Sequence, residues 1–151
     1  MFELENFEKA VDRLYSLLKR TDESIVGIQL SDDAWSLKEI VGHLIDSASN
    51  NHQRFVRLQG GSLEGFPTYD GERWIKIQKY NHMNWSLLKD LCMNFNRLIL
   101  RVVESIPEEC LGNTWSLEGN TFTLEWLVND YYRHLKSHIE HFQIRTAEIN
   151  E

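Results

Sequence analysis

The sequence predicts an all-α protein, a four-helix bundle with a long connection between its second and third helices. Three observations predict it. Four long segments repeat apolar residues at spacings of three and four, the period of one helix face. Start and stop signals bound those segments: a capping box at Ser36, Gly60-Gly61 and Pro107. No run alternates apolar and polar residues over the length a sheet would need.

The first helix is expected from about Phe2 to Arg20, on the stripe Leu4, Phe7, Val11, Leu14 and Leu18. The second starts at Ser36-Leu37-Lys38-Glu39, where serine and glutamate can cap each other's backbone, and carries Ile40, Val41, Leu44, Ala48 and Phe55 up to Gly60-Gly61. The third spans about Asn84 to Ile106 on Trp85, Leu88, Cys92, Phe95, Ile99, Val102 and Ile106, and Pro107 closes it. The fourth follows Thr123, an N-cap residue type, and carries Leu124, Val128, Tyr131, Leu135, Ile139 and Phe142 to about Ala147.

Two connections remain. Gly60 to Met83 contains the turn-rich Phe66-Pro67-Thr68-Tyr69-Asp70-Gly71, with a short helix possible over Glu72 to Tyr80. A connection this long is expected to cover one end of the bundle and shape a pocket mouth, with Tyr69 and Asp70 near the site. Pro107 to Phe122 is expected to hold a small hairpin around Glu118-Gly119-Asn120 and no further sheet. Trp35-Ser36-Leu37 and Trp115-Ser116-Leu117 echo each other, each ahead of a histidine-bearing helix, over too short a stretch to mark a duplication. Nothing resembles a linker, so residues 1–151 are expected to form a single domain.

Composition narrows the function. Hydrophobic residues at 42% and charged residues at 26% are ordinary for a globular chain. A formal net charge of -7 argues against a nucleic-acid partner, which would require a basic face. Cys92 and Cys110 form neither a ligand pattern nor a disulfide framework, which points to a reducing, cytoplasmic setting. The start, Met1-Phe2-Glu3-Leu4-Glu5, lacks the apolar run of a signal peptide, and no stretch is long and apolar enough to span a membrane.

The chemistry-bearing feature is a histidine pair on the last helix, in Tyr132-Arg133-His134-Leu135-Lys136-Ser137-His138. Residues four apart stack on one helix face, so His134 and His138 could hold one metal ion. His43, on the flank of the second helix's apolar stripe, could complete three ligands and leave an open position, as catalytic sites do. The polar track continues through Ser47, Asn50, Asn51 and Arg54. His141 falls slightly further toward solvent. Leu135 follows His134, so the base of a His-Glu-x-x-His metalloprotease is missing. Flanking histidines are more often surface residues than ligands, and His52 and His82 are read as surface or loop. Asp46 is expected to be solvated, or else to orient a histidine. Arg54, Arg133 and Arg145 could receive an anion, but pairing with acidic side chains is the plainer expectation. Trp85 and Trp126 are expected in the core.

Trp35-Ser36-Leu37-Lys38-Glu39-Ile40-Val41-Gly42-His43-Leu44-Ile45-Asp46-Ser47 resembles the second-helix motif of the DinB/YfiT-like superfamily. Thr123-Leu124-Glu125-Trp126-Leu127 and His134 through Ile144 resemble its last-helix motif, and order, spacing and length agree across essentially the whole chain. The resemblance implies a four-helix bundle, a homodimer, and a divalent metal (nickel, zinc or iron) on His43, His134 and His138. It implies a small-molecule substrate. The best-defined relatives are S-transferases using bacillithiol, mycothiol or glutathione, together with a maleylpyruvate isomerase, so a low-molecular-weight thiol is the implied cosubstrate. Asp46, Asn50, Arg54, Tyr69, Asp70, Tyr131 and His141 are the candidate pocket residues. Three neutral imidazoles leave an ion's charge intact, so either a bound thiol or a bound water would be acidified, giving S-transfer or hydrolysis. Metal binding without catalysis, in a stress-response role, is the reading from another class.

Overall fold

Helices α1 (Leu4–Arg20), α2 (Leu37–Leu58), α4 (Trp85–Glu104) and α5 (Leu124–Ile149) form the bundle, and the short α3 (Gly71–Gln78) lies against α2. The computed structural model describes residues 2–151. Both α1 and α2 pack on α4 and α5, so the core runs along the middle of the four. Leu14, Leu18, Ile40, Leu44, Leu88, Ile99, Leu135 and Ile139 are all buried there.

Local chemistry fixes the helix starts. The Ser36 hydroxyl accepts from the Glu39 amide at 3.2 Å, and the Ser36 amide donates to the Glu39 carboxylate at 2.9 Å. Asn84 and Thr123 cap α4 and α5 in the same way. The core stripe of α4 is rotated from the expected one: Asn96, Leu100 and Val103 are buried, while Phe95, Val102 and Ile106 are half-buried. Asn96, only 1% exposed, ties its amide to the Cys92 carbonyl at 2.8 Å and accepts the Tyr131 hydroxyl at 2.5 Å. A polar residue in that row is what disguises the stripe.

The hairpin is present as β2 (Thr114–Leu117) and β3 (Asn120–Thr123), joined by Glu118 and Gly119 at φ 50° and 82°. Positive φ at both loop positions is the turn whose twist suits a two-residue hairpin. The sheet goes one strand further than expected. β1 (Leu63–Glu64) pairs in parallel with β2, Leu63 opposite Trp115. Two residues have no alternation to read, and it is the neighbouring strand that makes them extended. Among the described residues no helix is long and apolar enough to cross a membrane.

Candidate metal centre

The packing of α2 on α5 brings His43 against His134 and His138. The two α5 imidazoles are one turn apart, with ring centroids at 4.4 Å. His43 closes the triangle at 5.1 Å from His134 and 4.6 Å from His138. Nε2 of His43 and Nε2 of His134 are 3.2 Å apart, and one nitrogen from each ring lies within 4.8 Å of the others. Two nitrogens bound to one ion at about 2.0–2.1 Å stand roughly 2.9–3.4 Å apart at angles between square and tetrahedral. The His43–His134 edge fits that span. Nδ1 of His43 and Nδ1 of His138 are buried with no hydrogen-bond partner. On His43 that nitrogen faces Gly71, so Nε2, turned to His134, is the His43 atom offered to an ion.

The electrostatics favour neutral rings. Burial, then the neighbouring His134 and His141, lower the His43 pKa to about 4. Burial and the other three histidines take His138 to about 3. Burial lowers His134 too, with Asp130 pulling the other way. Neutral imidazole is the form that ligates, so near neutral pH a metal displaces few protons.

Two residues wall the site. A Cβ added to Gly71 would stand 3.0 Å from His43 Cε1, so the backbone of the long connection rests on that ring. The Trp35 indole lies 5.0 Å from His43, 6.3 Å from His138 and 6.2 Å from His141, centroid to centroid. Arg145 fixes that tryptophan by donating to its carbonyl, and pairs with Glu148 at 2.8 Å. Sequence reasoning missed Gly71 and Trp35 as site residues; the Trp-Ser-Leu echo and the place of Trp35 at the head of the second-helix motif were the signals available for Trp35.

The other candidates separate. Asp46 is neither solvated nor bonded to a histidine. It is 2% exposed and accepts from the Tyr80 hydroxyl at 2.6 Å and from the Gln78 amide at 2.9 and 3.0 Å. Burial raises its pKa, and those two hydrogen bonds oppose the rise. Asn50 donates to the Asp46 carbonyl at 2.8 Å within α2. Tyr69 reaches the polar track: burial raises its pKa, the Ser47 hydroxyl lowers it, Asp46 adds to the rise and Arg54 opposes it. Asp70 is exposed and caps α3 through the Arg73 amide at 3.1 Å, directly ahead of Gly71. Tyr131 is a core residue bonded to Asn96. His141 stands beside the triad, 5.7 Å from His138.

Among the described residues Arg54 does not find the acidic partner expected of it; it lies over the Trp115 ring at 4.4 Å. Trp85 is buried, but Trp126 is 48% exposed, stacked on Phe122 at 4.5 Å, because it leads α5 off the apolar stripe. His82 is exposed, and His52 is half-buried with its ring edge-on to Phe95 at 5.7 Å. Two open clefts of about 510 Å³ run along α1 and α5. Neither is lined by a triad residue.

The fold has solved counterparts. YfiT from Bacillus subtilis, described as a probable metal-dependent hydrolase with an unusual four-helix bundle topology, superposes with a TM-score of 0.83 at 17% identity, covering 97% of this chain and 85% of that one. A DinB-like protein from Bacillus subtilis, YjoA, gives 0.70 at 14% identity, covering 98% and 91%. A mycothiol-dependent maleylpyruvate isomerase gives 0.74 at 15%, covering 90% of this chain and 57% of that one, so this chain spans little more than half its length. No curated protein matches the chain. The sequence model of the DinB superfamily matches residues 6–142, nearly the whole bundle with all three histidines, and the chain belongs to that superfamily.

Proposed function

We propose that this chain is a metal-dependent enzyme acting on a small molecule, with His43, His134 and His138 holding one divalent ion that keeps an open coordination position. The observation that carries this reading is the convergence of three half-buried or buried imidazoles, two of them with nitrogens 3.2 Å apart. Zinc, nickel and iron all suit imidazole donors. With three neutral donors the ion keeps its full charge and acidifies a bound thiol or water. The reaction is S-transfer from a low-molecular-weight thiol to a small electrophile. The sulfur forms a bond to the electrophilic carbon, the leaving group departs with its electron pair, and the thiol proton goes to solvent.

The chain's own part is to position and shield. Gly71 and Trp35 hold the His43 ring, and the indole covers one side of the triad. Hydrolysis is the second reading, favoured by the description of YfiT as a probable metal-dependent hydrolase. The enzyme works as a homodimer in a reducing, cytoplasmic setting. Leu87, Leu91 and Leu98, exposed at helical spacing on α4, and two free cysteines support that setting and assembly.

The test is metal analysis of the purified protein followed by a panel of thiols with a chlorinated nitroarene. Thiol consumption with metal present, and none after chelation, is the expected result. Ester or amide hydrolysis without thiol would select the second reading. Bound metal with turnover in neither assay would leave a metal-binding protein and no enzyme.

A further inference from the structure

Arg54 is a buried cation with nothing to balance it. It is 5% exposed, and among the described residues it makes no ion pair. Its Nε is buried without any hydrogen-bond partner. Among the described residues its only hydrogen bond is a long one, Nη1 to the Asn51 side-chain oxygen at 3.4 Å. The Trp115 face, 4.4 Å away, partly compensates the charge. Burial pulls its pKa down and Tyr69 is the one group acting the other way; no aspartate or glutamate contributes. The other two candidate arginines are satisfied, Arg133 by Asp130 and Arg145 by Glu148 and the Trp35 carbonyl. A guanidinium stays charged in proteins, and a buried charge without a partner is strongly unfavourable. The missing counter-charge must therefore come from outside the chain.

Position says what would bring it. Arg54 follows His43 by eleven residues, three turns along the same face of α2, about 16 Å along the axis. Helical side chains lean toward the helix N-terminus, which here is toward His43. Tyr69 bridges the interval: it acts on Arg54 and Ser47, and its ring edge is 3.9 Å from the Cβ position of Gly71, which rests on His43. The track from Arg54 to the triad is thus continuous. Pro67 and Thr68, which precede Tyr69, are exposed.

We propose that Arg54 anchors a carboxylate of the small molecule that the histidine site acts on. The Arg54 guanidinium matches one planar monoanionic group presented to its fork of donors; the next cation on α2, Arg57, is directed to the Phe66 ring and Gln53, whereas a phosphate dianion would call for a second cation at the same point. That the carboxylate belongs to the substrate rests on the metal-enzyme reading above. That Arg54 binds a carboxylate does not.

The experiment therefore uses metal-free protein, with acetate and succinate as probes against sodium chloride at matched ionic strength. The readout is the Nε–H signal of Arg54 in nitrogen-15 NMR, assigned by its loss in Arg54→Lys. The expected result is a saturable shift of that signal with both carboxylates and none with chloride. Calorimetry should show Arg54→Met weakening succinate binding about tenfold or more. An Arg54 signal that carboxylates leave in place, or tighter binding of inorganic phosphate than of succinate, overturns the proposal. So does unchanged succinate affinity in Arg54→Met, or in Arg54→Lys should the methionine variant not fold. If the carboxylate binds while metal analysis finds no ion, the anchor stands and the metal reading falls; the reverse outcome separates them the other way.

Discussion

Gly42→Ala is the most informative single change beside the triad. Gly42 lies on α2 directly before His43, where the Tyr80 ring crosses the helix. A Cβ there would fall 2.2, 2.4 and 2.6 Å from Tyr80 Cδ2, Cγ and Cε2. These are ring atoms in a residue only 3% exposed, so the whole aromatic must shift by more than an ångström, to ordinary contact. That shift breaks the 2.6 Å hydrogen bond to the Asp46 carboxylate and leaves it the Gln78 amide alone. Overpacking costs about 1–3 kcal/mol. Losing a hydrogen bond to a charged group adds about 1.5–3 kcal/mol. The better helix propensity of alanine returns about 1 kcal/mol. The net is a destabilisation of about 1.5–5 kcal/mol, a large share of a typical domain's 5–15 kcal/mol. Urea unfolding of the metal-free protein measures it. Tyr80→Phe, which keeps the ring and loses the hydroxyl, should show only the hydrogen-bond part. A Gly42→Ala protein as stable as the wild type would refute the reasoning.

Three further outcomes are expected. His138→Ala leaves two of three donors and should weaken metal binding beyond the roughly 10–100-fold that loss of an outer partner costs, while His82→Ala should not; elemental analysis after dialysis against a mild chelator reads both, and full occupancy in His138→Ala would count against the triad. The metal-free protein should lose thermal stability as pH falls from about 6.5 toward 4. His43 at about 4 and His138 at about 3 lie below the ordinary 6.5, so the unfolded chain takes up protons first; Asp46, held above the usual carboxylate range, opposes this at the acid end, and a flat or rising profile would contradict the neutral-ring assignment. Tyr131→Phe leaves the buried Asn96 oxygen without its donor and should cost about 1–3 kcal/mol in urea unfolding.

The sequence was most legible where local chemistry decides structure. Ser36, Asn84 and Thr123 begin helices because their side chains satisfy free amides, and that needs no knowledge of the rest of the chain. His134 and His138 were legible as a pair for the same reason, since helical spacing alone places them together. What could not be read depends on which elements meet. Asp46 looks like a surface carboxylate until Tyr80 and Gln78, more than thirty residues on, fold over it. Leu63 and Glu64 are a strand only because Trp115 and Ser116 lie beside them. Gly71 gives no sequence signal at all, because its importance is the absence of a side chain where a distant ring stands.

The parallel pairing of β1 with β2 has a kinetic consequence. Leu63 and Trp115 face each other across a separation of about fifty residues (115 minus 63), so their contact closes a loop containing α3 and all of α4. Closing such a loop costs conformational entropy before two residues' worth of ladder can repay it. The helices should therefore collapse first, with this contact added last. By the same logic it should open first in the native state. Hydrogen exchange should find the Gly65 amide, bonded to the Ser116 carbonyl at 2.9 Å, less protected than the mid-helix amides of α2. The β1–β2 contact beside Trp115, the ring against Arg54, would then be able to breathe on a timescale separate from the bundle that carries the histidines.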